Sequence, residues 1–204
     1  MVSRDLKVME HFDRIAEKYP KMTSSPILSQ MRRREMESIF KMLSPSHGDF
    51  ILDAGCGSGY YSAPLKALGA NVVGIDISGR MAAMASASGA DVIVADLQSF
   101  RLKARFDKIL CAGVLEFSED PLAIIKNLRF HLKDDGYMVF LVPKLSPMGA
   151  LYKLYHLSHG VRVRLFSSRG FELLLEDAGL RMTAVEEPTC MSLVAKCAKE
   201  GLER

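Results

Sequence analysis

Apolar and polar positions in this chain follow two periods. Near the start, Val8, Phe12, Ile15 and Tyr19 recur every three to four residues, the spacing of one helix face, and Pro20 ends the pattern. Ser25 and Pro26 have the character of an N-cap and a first-turn proline, so a second helix is expected through Leu43. Short apolar runs follow at Phe50–Leu52, Asn71–Asp76, Val92–Ala95, from Phe106 and at Tyr137–Pro143, each the length of a buried strand. Between them lie helical patterns: Tyr61, Ala63, Leu65 and Leu68; Met81 to Ser86; and Pro121 to Leu132, with Leu122, Ile125 and Leu128 inward. A turn is expected at Asp134, Asp135 and Gly136. Ser167 is placed to cap a helix over Phe171–Ala178 that stops at Gly179. Met182–Glu187 and Met191–Ala198 then form a closing antiparallel hairpin around Pro188. This order predicts an α/β fold: a Rossmann-like, doubly wound, seven-stranded sheet, mostly parallel, with an antiparallel C-terminal strand and helices on both faces.

The first strand runs into Asp53 and then glycines at alternate positions, Gly55, Gly57 and Gly59. Glycines at a strand-to-helix junction let backbone turn sharply and approach a ligand closely. The spacing D-x-G-x-G-x-G differs from the G-x-G-x-x-G of dinucleotide sites. A carboxylate beside the loop also suits a ligand bearing a cationic amine better than a diphosphate. One crossover later a strand ends at Asp76, whose two oxygens could accept hydrogen bonds from a ribose diol. The alternative role for Asp76 is to cap the helix that follows Ser78; its position relative to Gly59 favours the ribose.

In these motifs and their order, the chain from Phe50 to Ala198 resembles the class I S-adenosylmethionine (SAM)-dependent methyltransferases, in particular the small single-domain group that includes the ubiquinone- and menaquinone-pathway enzymes. The resemblance implies SAM as cofactor and transfer of its sulfonium methyl. It places Asp53, Ala54, Gly55, Cys56, Gly57 and Gly59 around the methionine end of SAM, with loop amides at the helix N-terminus on its carboxylate and Asp53 on its amine. Asp76 with Ile77 falls at the ribose position, and Asp96 with Leu97 at the adenine position, although an aspartate after a strand also forms Asx turns. Cys111, Ala112 and Gly113 would line the cofactor at the tip of the fourth strand. Tyr19 matches a tyrosine near the cofactor in quinone-pathway carbon methyltransferases, and is equally part of a core stripe. Val114 to Pro121 is similar to the V-L-E-H-x-x-D-P run of many small methyltransferases, with Phe117 in place of histidine. Gly113 stands where metal-using oxygen methyltransferases carry a second glutamate, so only Glu116 of that set is present and no metal is expected.

Composition narrows the picture further. With 204 residues and 49% hydrophobic content, one methyltransferase domain over 1–204 is expected, with N-terminal helices in 1–45 capping the cofactor site. A net charge of +3, and a fourth strand ending in Cys-Ala-Gly-Val without the D/N-P-P-Y run of base-amino methylating enzymes, point away from nucleic acid and toward a small-molecule acceptor. No apolar run is long enough for a membrane span, and four cysteines without metal-type spacing read as free thiols of a cytoplasmic protein. The individual stretch is 146–166, expected to cover the acceptor site. There Tyr152, His156 and His159 fall on one side of a helix, with Met148, Leu151, Leu154 and Tyr155 on a neighbouring apolar side. His156 is the first candidate for a general base, Tyr152 and His159 the next, against an ordinary surface role. Lys144, Lys153, Arg162 and Arg164 leave room for peripheral contact with anionic lipid. The oligomeric state is not specified. A macromolecule methyltransferase and a SAM-binding regulatory protein without transfer activity are the alternatives.

Overall fold

The computed structural model describes residues 4–18, 25–87 and 89–201. Helix α1 (Arg4–Ile15) and a 3₁₀ turn (Ala16–Lys18) precede α2 (Pro26–Leu43). Then follow β1 (Phe50–Ala54), α3 (Ser62–Ala67), β2 (Asn71–Asp76), α4 (Gly79–Ala87), β3 (Asp91–Val94) and β4 (Phe106–Ala112). The chain closes with α5 (Pro121–His131), β5 (Leu132–Pro143), α6 (Pro147–Ser158), α7 (Ser168–Asp177), β6 (Leu180–Glu186) and β7 (Ser192–Lys199). The caps expected at Ser25 and Ser167 are made: their hydroxyls accept from Leu28 N and Gly170 N.

The strands form one sheet in the order β3-β2-β1-β4-β5-β7-β6, parallel from β3 to β5, with β7 antiparallel to both of its neighbours. Central strands are buried on both faces. Leu52, Ile109 and Phe140 join α5 and α7 in one core, while Ile51, Leu110 and Val139 join α2 and α3 in the other. That is why these strands are near-continuous apolar runs.

Strand order reverses between β1 and β4, so the loops leaving these two strands flank the crevice where ligands of such sheets bind. Gly55 shows how tightly they meet: a Cβ there would lie 2.1 Å from Val114 Cγ2.

One expected turn is absent. Residues 132–143 form a single strand, and the register shifts between the pairs Phe106↔Leu132 and Lys108↔Tyr137. Four residues, 133–136, thus bulge opposite Asp107. Lys133 holds the Asp107 carboxylate, and Gly136 lacks a Cβ that would come within 2.7 Å of the Asp107 carbonyl.

Candidate active site at the strand tips

The glycine loop is pre-folded by the strand next to it. Gly55 N and Cys56 N both donate to Ile75 O, Gly57 N donates to Asp76 Oδ2 at 2.8 Å, and Gly59 N donates to Cys56 O. These amides are engaged within the protein, and α3 is only six residues long. These internal bonds give the loop its shape and use the amides of Gly55, Cys56, Gly57 and Gly59. Gly57 has φ +53° and nothing within 4 Å of a would-be Cβ, so its outer side is open.

Asp76 is half-buried at the tip of β2. Its Oδ1 accepts from Ser78 N and its Oδ2 from Gly57 N, both at 2.8 Å, while burial raises its pKa. A carboxylate has about four lone-pair sites, so acceptor capacity remains beyond these bonds and the backbone interaction with Ile77. The helix cap belongs to Ser78, whose hydroxyl accepts from Met81 N. Ser78 Oγ donates in turn to Asp13 of α1, which also receives Arg80 N. The N-terminal helix is thus tied to the strand tip that carries Asp76, a contact no local pattern in the sequence announces.

Asp53 lies beneath the loop at 1% exposure, with Ser62 Oγ donating to its Oδ2. Burial, with Asp76 nearby, lifts its pKa to about 6. Asp96 makes the Asx turn, accepting from Gln98 N. Leu97 is buried, and its carbonyl takes the amide of Asn127, which also holds Phe100 O. Cys56 and Cys111 are buried thiols whose pKa values burial pushes up. Cys111 packs in the core, so that strand tip offers backbone, Ala112 and the positive-φ Gly113. Ile77 is half-buried beside Asp76. Tyr19 lies outside the described residues.

On the other side of the crevice, aromatic rings converge. Phe117, in the loop after β4, meets Phe12 of α1 edge-on at 5.3 Å and His156 of α6 at 5.5 Å; Tyr152 meets His156 at 4.5 Å. Tyr152 and His156 are therefore in contact, as their i, i+4 spacing implies. His159 ends α6, packs on Tyr155, and binds the Tyr155 carbonyl through Nδ1. The apolar side of α6 does not cover the core: Met148, Leu151, Leu154 and Tyr155 are exposed. His156 Nδ1 is buried with no hydrogen-bond partner among the described residues, and burial with His11 and His159 nearby holds its pKa down to about 4. Glu116 is 3% exposed, and burial, with Glu35 nearby, pushes its pKa to about 8. Among the described residues, no cluster of three or more His, Cys, Asp or Glu could hold a metal, and no helix is long and apolar enough to cross a membrane.

A protein family described as a methyltransferase domain matches residues 27–185, more than three-quarters of the chain. The chain belongs to this family. An uncharacterised protein of Methanocaldococcus jannaschii is 35% identical over 141 residues, covering 68% of this chain and 52% of that protein. The ubiquinone biosynthesis O-methyltransferase of Rickettsia felis is 31% identical over 153 residues, covering 68% and 62%. The chain thus matches about half to two-thirds of the length of these relatives. Among solved structures, magnesium protoporphyrin IX methyltransferase from Synechocystis, with bound SAH, superposes with a TM-score of 0.78 over 97% of this chain and 100% of that one, at 17% identity. Family and fold together identify a class I SAM-dependent methyltransferase domain, as the glycine loop and Asp76 implied.

Proposed function

We propose that this domain binds SAM across the β1–β4 crevice and transfers its methyl group to a small-molecule acceptor. The carrying observation is the pairing of Gly57 with Asp76: a loop open on its outer side, pinned to a carboxylate that retains acceptor capacity. These residues fit the cofactor. The remaining lone pairs of Asp76 are suited to the ribose diol, with Ile77 beside them. Ala54 and the loop from Gly55 to Gly59 cradle the methionine end, and Asp53 supports the loop from below through Ser62. Leu97 supplies an apolar contact for adenine, with Asp96 shaping the turn that carries it. Ala112 and Gly113 form the opposite wall.

Bound SAM supplies an electrophilic methyl on a sulfonium centre. The protein's own task is to align the acceptor and limit water, because positive charge disperses during such a transfer and close alignment lowers the barrier. The acceptor side is aromatic, formed by Phe12, Phe117, Tyr152 and His156, which favours a flat, aromatic or quinone-like acceptor. His156 is neutral near pH 7 and can take a proton, but a low pKa makes it a weak base. It therefore suits an acidic hydroxyl better than an alcohol, while a carboxylate acceptor needs no base. The relatives' role in ubiquinone biosynthesis supports the same acceptor class.

The test uses methyl-labelled SAM with matched cell extract, followed by counting label in organic-soluble, small polar, protein and nucleic-acid fractions. Label is expected in a small-molecule fraction and is expected to vanish with Asp76→Ala. Label confined to protein or nucleic acid would overturn the acceptor class. A protein that binds SAM and transfers nothing to any fraction would be a cofactor-binding regulator.

A further inference from the structure

A cavity of about 440 Å³ opens between α1 and the end of α6. Its walls are Lys7, Glu10, His11 and Arg14 on one side and residues 159–161 on the other. This volume falls within the range of small-ligand sites. Its lining is basic: one carboxylate faces two permanent cations, Lys7 and Arg14, and two imidazoles, His11 and His159.

We propose that this cavity is an anion site that holds a phosphate or carboxylate group of the acceptor, away from the atom that receives the methyl. Lys7, His11 and Arg14 recur at i, i+4 and i+7, so α1 presents all three on one side. The hydrogen-bond pattern suits an acceptor-only ligand. A guanidinium can only donate, so the 3.5 Å contact of Arg14 Nη2 with His11 Nδ1 makes that nitrogen the acceptor and leaves a proton on Nε2. At His159, Nδ1–H donates to the Tyr155 carbonyl, so Nε2 can donate to an anion only when the ring takes up a second proton, a step that a bound anion favours.

Basic groups crowd this end of the molecule. His11 is 6% exposed, and its pKa is lowered by burial, by Arg14 and by His159; His156 lies 6.3 Å from His11, ring to ring. A bound anion would relieve this repulsion. The cavity adjoins the proposed acceptor side through packed rings: Phe12 beside His11 packs on Phe117, which in turn touches His156. Binding an anionic end here would use remote contacts to orient the reacting end, the arrangement by which binding energy assists transfer. The acceptor assignment rests on the proposed methyl transfer; the anion site does not.

Inorganic phosphate is the probe, followed through the C2 proton resonances of the histidines. Phosphate is expected to shift the His11 resonance saturably and to raise the pKa values of His11 and His156, because an anion favours imidazolium. The charged groups facing them are Lys7, Glu10 and Arg14 of α1, with His156 and His159 at the end of α6. Arg14→Gln and Lys7→Gln should each weaken phosphate by about tenfold, the loss expected for one charge-assisted contact. Lys153→Gln, on an exposed part of α6, should leave the titration unchanged. A His11 resonance unmoved by phosphate, or a native response in both Arg14→Gln and Lys7→Gln, overturns the site. Calorimetry with S-adenosylhomocysteine reports the cofactor reading separately, and its affinity should be retained in both variants. Sedimentation with phosphatidylglycerol vesicles separates the sources. Vesicle binding lost in Arg14→Gln identifies a lipid headgroup, whereas a phosphate response without vesicle binding identifies a soluble acidic acceptor.

Discussion

Two of the loop's three glycines, Gly55 and Gly57, have different reasons for lacking a side chain. Gly55, at φ +78°, sits against Val114, so a Cβ would both strain the backbone and collide. Gly55→Ala should therefore cost about 2–4 kcal/mol by denaturant unfolding, from a left-handed backbone plus overpacking. Gly57, at φ +53°, has open space, and Gly57→Ala should cost only about 1 kcal/mol while greatly weakening SAM measured by calorimetry. Equal stability losses in the two variants would refute the distinction. Glu116 gives a second test at this scale. Its folded pKa is raised from an ordinary 4.5 to about 8, so the folded state holds its proton more tightly than the unfolded chain. Its carboxyl is neutral and harmless below pH 4.5, and stability falls as pH rises from there through about 8. Glu116→Gln, which stays neutral, should match the native protein near pH 4 and exceed it in melting temperature above pH 8. The opposite trend would mean that the buried charge is matched by a cation.

At the scale of elements, α1 and α6 behave unlike the helices packed on the sheet. Only Gly149 of α6 is fully buried, with Tyr152 and His156 partly so, while five large apolar side chains, Met148, Leu151, Leu154, Tyr155 and Leu157, are exposed. Helix α1 is held through Asp13 at α4 and through Phe12 at Phe117. Few buried contacts mean a low local opening energy. Phe12→Ala should accordingly speed amide exchange in α1 by about tenfold or more, while exchange in the β4 and β5 core stays near native. Uniform acceleration across the sheet would show that α1 unfolds together with the core. The α6 stripe of Tyr152 and His156 was legible from i, i+4 spacing. The solvent exposure of its apolar side was not, because periodicity reports which residues share a side and not what that side meets.

For the whole molecule, the sheet and its crevice were readable in one dimension. Buried parallel strands need apolar runs, crossovers need helices between them, and a sharp turn at a strand tip needs glycine at fixed spacing. These local requirements determined the seven strands, the caps at Ser25 and Ser167, the glycine loop and the position of Asp76. Other features depend on segments far apart in the chain. The bulge at 133–136 arises where β5 passes Asp107, so Asp134–Gly136 extends the strand where a turn was expected. The internal use of the loop amides depends on β2 lying alongside, and the burial of Asp53 and Glu116 on the packing above them. The meeting of His11, Arg14 and His159 requires α1 to fold back across the end of α6. Sequence alone determined the fold class, the cofactor loop and the carboxylate at the second strand tip, because each follows from backbone geometry within a few residues. Only tertiary structure decided which polar groups are free to meet a ligand and which are spent inside the protein, because burial and hydrogen-bond partners come from residues distant in the chain.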